Sequence, residues 1–296
     1  MSIVNDIRTA FSRRDNALNQ LLLINVLVFA VLIVLRAILY IGGASTAYNV
    51  VMRQLAMPSD LPSLLRHPWT VLTYAFTHEG FLHIIFNLLN LYWFGMLIRE
   101  YLGNRKLVSL YILGALVGAV FFLLSFNLLP VFQARLGIPI VGASAAVTAI
   151  IVAAATLLPD YTFSLILIGP VKIKYIAAVV VLVSIAGING GNPGGELAHI
   201  GGALLGFVFI KQLQAGRDLG RPVQAVGDFV ANIVSGRPRM SVTHRSRAAE
   251  APAAKKGTLA RPEQEEIDLI LDKISRSGYE SLSKDEKQKL FKASQK

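Results

Sequence analysis

The chain has 296 residues, 54% of them hydrophobic and only 16% charged, with a mean hydropathy of +0.54. Soluble domains carry about a quarter charged residues, so this balance excludes an ordinary water-soluble globule and points to lipid as the solvent. Cysteine is absent, which removes disulfides, thiolate zinc sites and a cysteine nucleophile. The net charge of +11 reads as basic cytoplasmic loops held against anionic lipid rather than as a nucleic-acid surface, because no aromatic–basic interleaving accompanies it.

Spanning a bilayer takes about 20 apolar residues as a helix, and six stretches qualify or come close. They run from Gln20 to Ile41, Phe81 to Ile98, Leu107 to Asn127, Gly142 to Leu158, Lys174 to Asn189 and Leu197 to Leu213. The first, too long for a signal-peptide core, carries Arg36 near its far end, where the side chain can snorkel. The segment 43–80 that follows is partly apolar and is expected to lie in the membrane interface. Leu165–Val171 is apolar but broken by Gly169 and Pro170, and reads as a cytoplasmic connection. Basic residues fix the orientation: Arg8, Arg13 and Arg14 precede span one, Arg99, Arg105 and Lys106 join spans two and three, and Lys172 and Lys174 join four and five. Both termini are therefore expected in the cytoplasm.

The domain organisation that results is an N-terminal cytoplasmic segment (1–17), a six-span unit (18–215), a linker (216–262) and a cytoplasmic helical hairpin (263–296). The linker is rich in Arg, Ala, Pro and Ser and reads as lacking helical periodicity. In the hairpin, Ile267, Ile270, Leu271 and Ile274 fall at helical spacing before Gly278, and Ser283 with Glu286 forms a capping box. Without cysteine or carboxylate companions for its histidines the chain implies no metal and no cofactor, and the sequence leaves the oligomeric state open.

Ionisable and strongly polar residues inside spans are costly and mark function by default. Here they are His83, Asn87 and Asn90 in span two, Ser144 and Thr148 in span four, and His199 in span six. Spans two, four and six run the same way, and His83, Ser144 and His199 each stand third in theirs. At about 1.5 Å per residue all three lie within one turn of the outer face. Small residues let these helices meet: Gly142, Ala143, Ala145 and Ala146 flank Ser144, and Gly202 and Gly206 make a GxxxG pair beyond His199. Close backbone approach would bring the Ser144 hydroxyl to the His199 ring, the geometry of a base-activated serine. Each residue alone has a plainer reading, since membrane serines bond their own backbone, GxxxG pairs pack helices and histidines relay protons in transporters.

At these residues the sequence resembles the rhomboid family of intramembrane serine proteases, over about residues 65–210. Gly142-Ala143-Ser144 looks like its GxS nucleophile motif. Ala198-His199-Ile200-Gly201-Gly202 with Gly206 looks like its AHxxGxxxG motif, and His78, His83 and Asn87 match its HxxxxHxxxN segment. The resemblance implies an all-α bundle of six membrane helices and a Ser144–His199 dyad without an acid. His83, Asn87 and the Ser144 N–H would then be oxyanion donors, and the substrates transmembrane proteins in a bacterial cytoplasmic membrane. Accordingly, spans two to six as delimited here contain no Asp or Glu, with Glu196 bordering the sixth. The chain departs from the family's usual pattern at Ala145, at Thr148 (where an aromatic residue often stacks on the histidine) and at Trp69-Thr70. The glycines of Gly187–Gly195 permit a mobile cover over Ser144 or form a plain turn. The rival readings are a client-binding pseudoprotease, which predicts loss of Ser or His, and a transporter using His83, Asn87 and His199, which predicts polar residues through the full depth.

Overall fold

The structure is a computed structural model that describes residues 16–165, 168–235 and 261–293. The chain divides into two units, one ending at Arg239 and one beginning at Met240. The first is a helical bundle. Helix α1 (Ala17–Ile41) leads to three short helices, α2 (Ser45–Leu55), α3 (Leu61–Arg66) and α4 (Thr70–Thr73), in the segment expected at the interface. Then follow α5 (Phe81–Leu102), α6 (Asn104–Leu128), α7 (Pro130–Gln133), α8 (Ser144–Leu157), α9 (Ile173–Gly187), α10 (Pro193–Gln214) and α11 (Arg221–Ser235). Two-residue strands β1 (Met57–Pro58) and β2 (Pro139–Ile140) pair antiparallel, Met57 opposite Ile140. Strands β3 (Thr162–Leu165) and β4 (Gly169–Lys172) form the hairpin between α8 and α9, in the stretch that the sequence suggested as a connection rather than part of span five.

Of the six expected spans, α1, α5, α6 and α10 are long and apolar enough to cross a membrane; α8 and α9 are apolar but shorter, at 14 and 15 residues. A 14-residue helix is about 21 Å long against a hydrocarbon core of about 30 Å. Helix α8 is nonetheless the centre of the bundle, with ten of its residues buried. It can be short and all-round apolar because other helices, not lipid, surround it. The core around it is Leu91, Phe94, Leu110, Phe122, Ile150 and Phe209. Apolar side chains left exposed on α1 (Val31, Val34, Ile38) and α9 (Val179, Leu182, Val183) form a perimeter suited to lipid. Arg36, the one charge in α1, lies 5.8 Å from the centre of the Tyr48 ring on α2.

Segment 216–262, read from sequence as a linker, begins with a helix. Helix α11 turns Val226, Phe229, Val230 and Ile233 to one exposed side and is tied to α6 by Arg105–Asp228 at 3.0 Å and by Ser109 donating to the Gly220 carbonyl at 3.3 Å. The rest of that segment from 236 to 260, like the N-terminal segment 1–15, lies outside the described residues. In the second unit α12 (Arg261–Ser277) ends at Gly278, whose φ of 74° suits glycine, and α13 (Lys284–Ala293) follows. The Ser283 hydroxyl accepts from the Glu286 N–H at 3.3 Å while Glu286 accepts from the Ser283 N–H at 2.7 Å, the reciprocal capping box. Lys273–Glu286 and Lys289–Glu266 join the two helices.

Candidate active site

The site is built around the entrance to α8. Gly142 has a φ of 128°, a conformation that resists side chains, and its N–H donates to the Tyr74 carbonyl at 2.9 Å. A Cβ at Gly142 would sit 2.8 Å from the ring of His83 and 3.6 Å from Ser144 Oγ, so ring and hydroxyl flank one point. The next N–H, of Ala143, donates to His78 Nε2 at 3.3 Å. Burial, and then the neighbouring His83, push the His78 imidazole down to about 4, so it is neutral and can accept. Ser144 is the first residue of α8, not the third of a span beginning at Gly142.

Buried polar groups hold this entrance in place. Tyr74 donates to the Ala115 carbonyl and Tyr111 to the Ala75 carbonyl, each at 2.7 Å, and Asn25 donates to Tyr111 at 3.1 Å. Asn25 and Tyr111 are fully buried, and the sequence reading passed over them. Their signal was available: a lone Asn inside an apolar span needs a partner, and a membrane Tyr facing it supplies one.

Glycines set the distance between α8 and α10. A methyl at Gly202 would overlap the carbonyl of Ala145, and one at Gly206 that of Ala149. The two backbones are therefore in contact, as the GxxxG spacing implied, and His199 is held on α10 close to the first turn of α8. Ser144, Asn87 and His199 open onto one cavity of about 410 Å³, together with Thr148, Ser184 and Glu196. Val179, Val180 and Val183 of α9 and Phe86 of α5 form its apolar wall. His83 does not line the cavity; it packs beside it, behind Gly142. Asn87 is buried and gives one amide hydrogen to the His83 carbonyl at 2.9 Å, a loan within its own helix.

Thr148, standing where an aromatic ring was expected, donates to the Ser144 carbonyl at 2.8 Å and leaves the histidine to others. The ring is met instead at Nδ1, by Ser184 Oγ at 3.0 Å and Glu196 Oε2 at 3.2 Å. This corrects the reading of an acid-free site. Glu196 does not border the sixth helix; it lies in its first turn, because α10 starts at Pro193 with Asn192 capping the Gly195 N–H at 3.1 Å. Gly194 and Gly195 thus belong to a helix rather than to a glycine cover. The signal that could have found the contact is the Glu196-x-x-His199 spacing, which puts both side chains on one helix face.

The geometry can be set beside known proteins. A profile of the Rhomboid domain matches residues 65–214, and a profile of a family of unknown function, DUF6576, matches residues 261–296. RHOMBOID-like protein 12, mitochondrial, of Arabidopsis thaliana is 29% identical over 199 residues, 62% of this chain and 59% of that protein. Rhomboid-like protein 16, chloroplastic, of the same plant is 31% identical over 160 residues, half of each chain. Rhomboid protease GlpG of Klebsiella pneumoniae is 39% identical over 67 residues, 23% of this chain and 24% of that one. The chain thus spans 59% and 50% of the length of the first two.

Proposed function

Since this chain belongs to the rhomboid family, we propose that it is an intramembrane serine protease that cuts a peptide bond in or near the transmembrane segment of another membrane protein. The observation that carries this reading is the single cavity onto which Ser144, His199 and Asn87 open, beneath a wall formed by α9. In it Ser144 Oγ attacks the scissile carbonyl carbon while His199 takes the hydroxyl proton. The carbonyl oxygen becomes an oxyanion, met by the Ser144 N–H and the Asn87 amide, with His83 approaching it from the cavity's edge at Gly142. In a low-dielectric site such preorganised donors are worth far more than in water. Collapse expels the amine, which receives the proton from His199, and leaves an acyl-enzyme. Water then repeats the cycle through the same base and frees Ser144. The Ser144 N–H is available because it lies at the free N-terminal end of α8, where no helical carbonyl accepts it.

The protease unit under this reading is residues 18–215, in a cytoplasmic membrane with both termini inside and the cavity near the outer face. Substrates with small or helix-breaking residues near the outer end of their span are the expected class, because a helix must unwind before its carbonyl reaches Ser144. The test is cleavage of a single-span model substrate by detergent-purified protein, beside Ser144→Ala and His199→Ala. Both changes should abolish cleavage and labelling by a fluorophosphonate. Cleavage that survives either one removes the assignment.

A further inference from the structure

The geometry points to Glu196 as a positioning residue that, with Ser184, fixes the base of the Ser144–His199 pair in the tautomer bearing its proton on Nδ1. This inference rests on the serine-protease reading of the same cavity and deepens it.

The argument begins with what each atom can do. An ionised carboxylate only accepts hydrogen bonds. The 3.2 Å contact from Glu196 Oε2 to His199 Nδ1 is therefore a hydrogen bond only when Nδ1 carries the proton. Ser184 could act either way at 3.0 Å: its hydroxyl could accept from Nδ1, or donate to it and force the proton onto Nε2. The carboxylate removes that ambiguity. With the Nδ1 proton turned to Glu196, Nε2 keeps a free lone pair, which a base for Ser144 needs.

Three features suit a carboxylate at Glu196 and hold it in position. It lies in the first turn of α10, where the helix dipole favours an anion. Its side chain, 21% exposed, opens onto the cavity it shares with His199. Its carboxyl end rests on Gly187 of α9, where a Cβ would stand 2.9 Å from Glu196 Cδ. Any larger residue at 187 would displace the carboxylate. Thr148 makes no contact that could replace this one, because its hydroxyl is committed to the Ser144 carbonyl.

Few other charges could mimic the effect. Among the residues that line the cavity from α5, α8, α9 and α10, only Glu196 and His199 ionise. His83 on α5 is the remaining titratable group close enough to interact with His199.

The test uses the full chain in detergent micelles with isotope-labelled histidine, the His199 resonances being identified by their loss in His199→Ala. Nitrogen shifts should report the Nδ1–H tautomer in the unaltered protein. Glu196→Gln keeps the size of the side chain and its packing on Gly187 but removes the charge. It should move part of the His199 population to the Nε2–H tautomer, because the amide is no longer a pure acceptor at Nδ1. In cleavage assays kcat should fall at least tenfold with KM unchanged. Glu196→Asp should recover part of both effects. A residue that only packs would alter thermal stability and leave the tautomer in place. An Nε2–H tautomer in the unaltered protein, or a tautomer population that Glu196→Gln leaves unchanged, overturns the inference. A protein that cuts nothing would defeat the protease reading, whereas the tautomer needs no turnover and still decides the role of Glu196.

Discussion

Gly202→Ala is the sharpest probe of how the site is assembled, because it adds one methyl and no chemistry. That methyl would overlap the carbonyl oxygen of Ala145, the residue after Ser144, and also approach the Ala145 carbon at 3.0 Å. Neither atom belongs to a flexible side chain, so relief requires α8 and α10 to separate by roughly 1 Å, and shifts of that size between reacting groups cost on the order of 100-fold in rate. Two energies oppose each other. Alanine is the better helix former by about 0.5–1 kcal/mol. Overpacking costs about 1–3 kcal/mol even where side chains can give way, and here the obstacle is backbone. Overpacking wins, so stability should fall by about 1–2 kcal/mol while kcat falls far more, on the order of 100-fold. Gly206→Ala presses on the Ala149 carbonyl, one turn deeper, and should cost similar stability with a smaller loss of rate. Gly227→Ala in α11, where a Cβ meets nothing within 4 Å, is the control for propensity alone. The assay is kcat on a single-span substrate beside thermal unfolding in the same detergent. If Gly202→Ala keeps kcat within twofold and Tm within a degree, the close approach of α8 and α10 does not set the Ser144–His199 distance.

Tyr111→Phe should lower stability by about 1–3 kcal/mol, since the buried Ala75 carbonyl and Asn25 amide lose a partner together, and thermal unfolding would read it. His78 gives a pH dependence. The unfolded chain takes up its proton near 6.5 and the folded chain only near 4, so stability should fall as pH drops through that window, and His78→Gln should flatten the slope of Tm against pH. Thr148→Ala removes a bond that stays within α8 and should change kcat less than twofold in the cleavage assay. Gly187→Ala should reproduce part of the Glu196→Gln defect, visible as a smaller fall in kcat and the same change of His199 tautomer, because it displaces the carboxylate rather than neutralising it.

Helices α1, α5, α6 and α10 were legible because long apolar runs have one solution in lipid, the helix that satisfies its own backbone. The motif residues were legible for a related reason: polar groups at a common depth in apolar helices stand out. What stayed hidden turned on helix starts. Pro193-Gly194-Gly195 looks like a loop by composition, yet Pro is favoured at the first helical position and Asn192 supplies the cap, so α10 begins early enough to contain Glu196. Gly142 looks like part of a helix, yet its positive φ makes it the turn before one. In α11 the apolar residues Val223, Val226, Val230 and Ile233 do follow helical spacing, but the Arg, Ala and Pro content of the longer segment masked them. Composition averages over a window, whereas a cap is decided by one or two residues.

Under the protease reading water must reach a bond that lipid keeps dry, and the length of α8 bears on how it would do so. The helix falls about 9 Å short of the hydrocarbon core. The C-terminal end of α8 is followed by Asp160, whose carboxylate is held at about 2 by hydrogen bonds from Lys172 and Lys174, each at 2.9 Å, on the basic side that the proposed orientation turns to the cytoplasm. With that end anchored at the inner surface, as this orientation requires, the whole shortfall would lie at the other end, where Ser144 begins the helix. The hydroxyl would then be sunk beneath the outer face without a single charged residue in α8. The polar groups that would hold water there, Asn87, Ser184, Glu196 and His199, come from the three helices around it. Division of labour follows from burial: the central helix carries only uncharged residues and turns the Ser144 and Thr148 hydroxyls to the cavity, so the carboxylate, the imidazole and the amide come from the helices around it.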